Sequence, residues 1–270
     1  VTSVTHLTLA DGTRIRCTVA GSGPDVVLVH GWKQSHRLFD QAIHRLSATH
    51  RVIAFDQRGA GESDKPECSY DFDLLGADLR EVMDIHQVTD ATVVGWSMGC
   101  TVVLSSLKQP SPRVGRVIVM NGPLRLTRTT DFSHALHEEE LHTYVEGMED
   151  SWPTDQRPFL RDSLLAANVE MLPLLEYVAW QTPLHIALRL VRNQALIDHR
   201  TTIRELALPV LAAYSEQDPY WSVDVGRWIA ANAPRGKLHT FTESAHCPPL
   251  EEPEAFVRTV RDFTAGRSDD

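Results

Sequence analysis

The stretch Val93-Val94-Gly95-Trp96-Ser97-Met98-Gly99 decides how this chain folds. It sets a serine between two glycines, G-x-S-x-G, directly after the apolar run Ala91-Thr92-Val93-Val94 and before a helical pattern over residues 101–107. A serine on so tight a strand-to-helix turn takes an unusual backbone conformation, and its flanking positions have no room for a Cβ. The turn lifts the Ser97 hydroxyl above the end of the sheet. It also aims the free N–H groups of a helix N-terminus at the place where an oxyanion would form. Ser97 is therefore the candidate nucleophile.

Outward from this turn, strand-like and helix-like segments alternate. Residues 5–10 and 13–19 flank Asp11-Gly12, a hairpin signal. Asp25-Val26-Val27-Leu28-Val29 and Arg51-Val52-Ile53-Ala54-Phe55 are short continuous apolar runs, as strands buried on both faces require, and residues 115–120 form another. Residues 39–46 and 72–85 carry apolar side chains at helical spacing, the latter through Leu75, Leu79, Val82 and Met83. This order predicts an α/β chain with a doubly wound, mostly parallel sheet behind an antiparallel hairpin.

The pattern changes after Pro123. Up to about His199 no buried β run occurs, while helical stretches carry Phe132, Tyr144, Trp152, Phe159, Tyr177 and Trp180, punctuated by prolines 153, 158, 173 and 183. Strand-like runs return at residues 209–214 and 237–241, and residues 254–263 read as a closing helix. The expected organisation is a core of residues 1–122 and 200–270 with a helical cap, residues 123–199, inserted as a lid. Trp96, Trp152, Tyr177 and Trp180 are the aromatic candidates for the substrate pocket.

Serine is a poor nucleophile at neutral pH, so a base must accompany it. Among 13 histidines, His246 stands out because it follows the last strand-like run and precedes Cys247-Pro248-Pro249 and the final helix. Loops at strand C-termini of such sheets converge on one site. Asp218, in Tyr214-Ser215-Glu216-Gln217-Asp218-Pro219, would hold the imidazole in the required tautomer and stabilise its cation, with Glu216 a weaker candidate. The order Ser, acid, His follows. Oxyanion donors are expected from the backbone N–H of Met98 and from that of Trp32, in His30-Gly31-Trp32. His134, His137 and His142 have spacings of three and five, which put only the first pair on one helical face; a polar lid helix is expected there, with no metal and no cofactor.

His30-Gly31-Trp32, Asp56-Gln57-Arg58-Gly59-Ala60-Gly61-Glu62-Ser63, Gly95-Trp96-Ser97-Met98-Gly99, Asp218-Pro219 and His246 together resemble the α/β-hydrolase superfamily, and within it the cofactor-free bacterial haloperoxidase and esterase group. The likeness spans nearly the whole chain except the cap. It implies ester hydrolysis, with peracid formation when peroxide replaces water. It also implies that residues 56–63 form a structural loop with Arg58 in an ion pair. The chain departs from that group in carrying Cys100 after Gly99, where a second glycine is usual. Haloalkane dehalogenases and epoxide hydrolases of this fold use an aspartate nucleophile, so Ser97 disfavours them. The chain also resembles, more distantly, the cofactor-independent dioxygenases of 3-hydroxy-4-quinolones, in which the histidine would deprotonate a substrate hydroxyl. Those place a histidine beside the elbow serine and an acid after the following strand; here the positions hold Trp96, Met98 and Asn121.

Composition bounds the remaining readings. The 270 residues are 42% hydrophobic and 23% charged, which suits a folded globular chain. A net charge of −10 argues against nucleic acid as a partner. Glu138-Glu139-Glu140 and Glu251-Glu252 read as solvated surface. No run approaches the roughly 20 apolar residues that span a bilayer, and residues 1–10 lack a basic flank or apolar signal core, so a cytoplasmic enzyme with a small-molecule substrate is expected. Four scattered cysteines read as packing residues. The leading expectation is a serine hydrolase cleaving a carboxylic ester, thioester or lactone of a partly apolar substrate. The dioxygenase and a non-hydrolytic ligand receptor of the same fold are the alternatives.

Overall fold

The computed structural model describes residues 2–154 and 156–267. Strands β1 (Thr2–Thr8) and β2 (Arg14–Ala20) form the expected hairpin, with Thr8 opposite Arg14. Asp11 accepts the N–H of Thr13 across the turn at 2.9 Å. Then come β3 (Asp25–Val29), α1 (Asp40–Leu46), β4 (Arg51–Phe55), α2 (Phe72–Ile85), β5 (Ala91–Trp96), α3 (Met98–Ser106) and β6 (Val114–Met120). After a helical segment, the sheet is completed by β7 (Val210–Ser215), α9 (Val223–Asn232) and β8 (Gly236–Phe241), followed by α10 (Pro248–Glu251) and α11 (Pro253–Thr264).

The eight strands lie in the order β1-β2-β4-β3-β5-β6-β7-β8. β1–β2 and β2–β4 pair antiparallel, and the other five neighbouring pairs are parallel. Because side chains alternate across a strand, continuous apolar runs feed two cores. Val27, Val29, Val93, Val117 and Val119 pack on the face covered by α2 and α3, with Leu79 and Val102. Val26, Leu28, Val94 and Ile118 pack on the other, with Phe39 and Phe256. From β3 the chain crosses to β4 on one side, and β5 lies on the other. The C-terminal ends of β3 and β5 therefore flank a topological switch point, where such sheets form their crevice.

Arg58, expected in an ion pair, makes a two-pronged one with Asp78 at 2.5 and 2.6 Å and reaches Asp11 at 2.9 Å. This pins the loop after β4 beneath α2. Helix α3 starts at Met98, three residues before the helical pattern is visible in the sequence. All nine of its residues are buried, so it has no polar face to reveal it. The four cysteines are free thiols; Cys17, Cys100 and Cys247 are buried.

Between β6 and β7 lie α4 (Glu138–Ser151), α5 (Gln156–Asp162), α6 (Leu172–Ala179) and α7 (Leu184–Gln194), with a 3-10 turn over Ala166–Met171 and the short α8 (Arg200–Glu205) leading back into the sheet. Isolated bridges, Thr127 with Leu136 and Thr129 with Phe132, precede α4, so this stretch is not wholly helical. The two ends of the segment meet where His199 donates its N–H to the carbonyl of Leu124 at 2.9 Å. Among the described residues no helix is long and apolar enough to cross a membrane.

Candidate active site

Ser97 occupies the single residue between β5 and α3, with φ 56° and ψ −125°. A side chain held at positive φ is strained, by roughly 1–3 kcal/mol in general, and persists only where the surroundings over-determine it. Here the constraint comes from both sides. The Ser97 N–H donates to Met120 on β6 at 2.9 Å. A Cβ on Gly99 would lie 2.3 Å from the carbonyl oxygen of Val29, so the helix packs on β3 only with glycine there. Cys100, where the resembled group has glycine, fits because its thiol donates to the carbonyl of Gly95 at 3.0 Å, and burial raises its pKa.

The Ser97 hydroxyl lies 3.0 Å from His246 Nε2, and His246 Nδ1 lies 2.9 Å from Asp218 Oδ2. With Nδ1 donating to the carboxylate, Nε2 is the acceptor for the serine proton. The other Asp218 oxygen accepts the N–H groups of Tyr220 at 2.8 Å and Trp221 at 3.3 Å, which fixes the carboxylate's orientation. The Asp218 side chain is fully buried, and that of His246 nearly so. Glu216, the weaker candidate, is exposed.

The histidine's backbone is held as firmly as its ring. Its N–H donates to the carbonyl of Ser163 at 3.0 Å. Its carbonyl accepts the indole N–H of Trp96 at 2.7 Å and the Asn121 amide at 3.3 Å. Asn121 also donates to Ser215 and accepts that residue's N–H, so the position considered for an alternative acid carries a neutral clamp. The rings of Trp96 and Tyr220 pack against the imidazole at 5.4 and 5.0 Å. Nothing in a single asparagine or tyrosine after a strand announces the contacts that Asn121 and Tyr220 make here.

The two expected oxyanion donors sit at the sides of Ser97. Met98 is the first residue of α3, so its N–H has no carbonyl four residues earlier to bond. On the other side, a Cβ on Gly31 would come within 2.9 Å of Ser97 Cβ, so the loop after β3 approaches the serine this closely only with glycine. His30 sets the direction of the next peptide. Its Nε2 accepts the N–H of Gln57 at 3.0 Å, which leaves Nδ1–H to donate to the Gly31 carbonyl at 2.8 Å. In a trans peptide the N–H opposes the C=O, so the Trp32 N–H points away from His30. Burial lowers the His30 pKa to about 4, which keeps it neutral in this role at ordinary pH.

Ser97 opens into a cavity of about 290 Å³ with a mostly apolar lining. Its aromatic wall joins three parts of the chain: Trp32 from the β3 loop, Tyr144 and Phe159 from α4 and α5, and Tyr220 from the acid loop, with ring centroids 4.7 to 5.9 Å apart. Gln34, Glu140 and Gln194 are polar exceptions. Of the pocket candidates, Trp96 is in the wall. Tyr177 and Trp180 are not; they are 61% and 52% exposed. Leu175 of α6 faces the cavity, and at 100° per residue positions 177 and 180 fall far round the helix from it. Trp152 lies beyond the wall, its ring 5.1 Å from Lys33 Nζ. His137 caps α4, with its N–H donating to Glu140 at 2.7 Å, and His142 pairs with Glu146. His134 stacks edge-on to Phe132.

A sequence model described as the alpha/beta hydrolase family matches residues 26–259. A pimeloyl-(acyl-carrier protein) methyl ester esterase of Nitrosomonas europaea is 24% identical over 255 residues, 90% of this chain and 96% of that one. Two solved structures superpose over 97% of this chain and 100% of theirs: an esterase from Exiguobacterium antarcticum, at a TM-score of 0.92 and 23% identity, and a bromoperoxidase from Bacillus anthracis, at 0.91 and 21%.

Proposed function

The chain belongs to the alpha/beta hydrolase family, and on that premise we propose that it is a serine esterase acting on a small, partly apolar carboxylic ester, thioester or lactone. The observation that carries this reading is the unbroken chain of contacts from Ser97 through His246 to Asp218, at 3.0 and 2.9 Å, at the mouth of an apolar cavity. In the proposed reaction the Ser97 oxygen attacks the substrate carbonyl while His246 Nε2 takes its proton. The N–H groups of Met98 and Trp32 receive the oxyanion. Collapse of the tetrahedral adduct expels the alcohol or thiol, which takes the proton from His246 and leaves an acyl-serine. Water, deprotonated by the same imidazole, releases the acid and restores the serine.

The cavity supports an apolar acyl or alcohol portion, and its size matches the lower end of pockets for small ligands. The relative from Nitrosomonas europaea is named for a methyl ester on an acyl chain, which fits the same chemistry. The helical segment of residues 123–199 supplies Tyr144 and Phe159 to the wall, and we read it as the lid of the site. The test is mass spectrometry after exposure to a fluorophosphonate, with turnover measured on a series of p-nitrophenyl and methyl esters of increasing acyl length. Covalent mass at Ser97 and turnover lost in Ser97→Ala are expected. Turnover that survives in Ser97→Ala but not in His246→Ala would overturn the esterase reading in favour of proton-abstraction chemistry.

A further inference from the structure

Glu251 and Glu252 carry an acidic pair that the sequence presents as ordinary surface, but neither is exposed. Glu251, at the end of α10, is ligated on both oxygens. Oε2 accepts the N–H groups of Ala245 at 3.0 Å and Cys247 at 3.1 Å, the residues on either side of His246. Oε1 accepts the N–H of Leu165 at 2.7 Å and the side-chain amide of Asn168 at 3.2 Å, both in the stretch between α5 and α6. The N–H between the two on the histidine loop, that of His246 itself, goes to the carbonyl of Ser163 in that same stretch. Three consecutive N–H groups of the histidine loop are thus all engaged, two by one carboxylate and one by the helical segment.

We propose that Glu251 is a positioning residue that fastens the His246 loop to the inserted helical segment, so that the base is in register with Ser97 when that segment is seated. The inference rests on the reading of His246 as the base. Four N–H donors converge on one side chain, and only an ionised carboxylate offers acceptors at both of its ends. Such charge-assisted bonds are roughly twice as strong as neutral ones. A glutamine would turn its NH₂ toward one of the two donor pairs, releasing either the histidine loop or the segment. An aspartate is one methylene short of spanning both. The imidazole then keeps its chemistry but loses its placement, and a misplacement near 1 Å costs about 10²-fold in rate.

The test compares wild type, Glu251→Gln, Asn168→Ala and, as a control for lost surface charge, Glu254→Gln, which removes only the exposed pair with Arg45. Three quantities are read: kcat and KM on a p-nitrophenyl ester, the rate of fluorophosphonate labelling of Ser97, and the downfield proton resonance of His246 Nδ1–H. Glu251→Gln is expected to lower kcat and the labelling rate at least tenfold together, with KM within threefold, and to broaden or abolish the resonance. Asn168→Ala loses one of the four donors and should fall between it and wild type, which keeps the proposal testable if Glu251→Gln folds poorly. Glu254→Gln should match wild type. A Glu251→Gln protein with wild-type labelling and an unchanged resonance overturns the proposal. Absence of Ser97 labelling in wild type would instead defeat the esterase reading, and the resonance, observed without turnover, would still decide the role of Glu251.

Discussion

Trp96 donates its indole N–H to the carbonyl oxygen of His246 at 2.7 Å, so the residue before the proposed nucleophile holds the proposed base. The two are 150 positions apart in sequence. The bond means that the serine turn and the histidine loop cannot shift independently. Trp96→Phe keeps an aromatic ring in the cavity wall but leaves the His246 carbonyl with the weaker Asn121 contact at 3.3 Å. Because the carbonyl keeps one donor, the loss is that of a single hydrogen bond, about 0.5–1.5 kcal/mol. We expect Trp96→Phe to lower the denaturant-unfolding free energy by that amount and kcat by about tenfold, the loss expected when the base is held less accurately. Wild-type kcat in this variant would show that Asn121 and Ser163 suffice.

Removing the Ser97 hydroxyl should abolish ester turnover, by at least about 10⁴-fold, because no acyl-enzyme forms. The two ways of removing it should differ in stability. Ser97→Ala retains the Cβ at φ 56°, whereas Ser97→Gly removes it and with it the conflict. Ser97→Gly is expected to unfold about 1 kcal/mol later than Ser97→Ala, the lower end of the cost of such strain. Equal unfolding free energies would mean that the turn stores no strain at its Cβ.

Asp218→Asn should lower kcat by on the order of 10⁴-fold with KM little changed. The Asp218 carboxylate contacts His246 Nδ1 and two backbone N–H groups, and its effect appears as the imidazole gains charge. An asparagine can present its NH₂ to Nδ1 and so favour the wrong tautomer. Glu216→Gln, at an exposed position, should stay within twofold of wild type. Steady-state kinetics on one ester distinguishes the two; a mild Asp218→Asn would place the third member elsewhere.

Much of the architecture was legible because buried strands and amphipathic helices leave periodic traces. Helix α2 shows this best: Leu75, Leu79, Val82 and Met83 mark one face, and the helix runs over the expected residues 72–85 with Asp71 as its cap. Helix α3 was legible only from residue 101, since a helix buried all round has no periodic contrast. In the site, the glycine-flanked serine and the loops after β7 and β8 pointed to Ser97, Asp218 and His246, and the fold brings these together. The pocket was not legible in the same way. Aromatic content singled out Tyr177 and Trp180, but which helix face meets the cavity depends on tertiary packing. Glu251 was hidden for a related reason, because a carboxylate that accepts backbone N–H groups is spelled the same as one in water.

Stability should fall as acid is added well before the carboxylates titrate. Burial lowers the pKa of His30 and of His199 from 6.5 to about 4. In the unfolded chain both bind protons near pH 6.5, while the folded protein refuses them until about pH 4. The unfolded state therefore binds more protons throughout that window, and stability rises with pH across it. Each residue withdraws about 2 kcal/mol between pH 7 and pH 5, and about 3 kcal/mol by pH 4. His199 gives the cleaner test because it lies at the base of the helical segment, bonded to Ser105 at 3.0 Å and Thr202 at 3.1 Å. His199→Gln keeps a donor and an acceptor there without a titrating group. Urea unfolding at pH 7 and pH 5 should show a difference smaller by about 2 kcal/mol in the variant than in wild type. An undiminished difference would mean that His199 is protonated in the folded protein at pH 5, and that its burial does not hold it neutral.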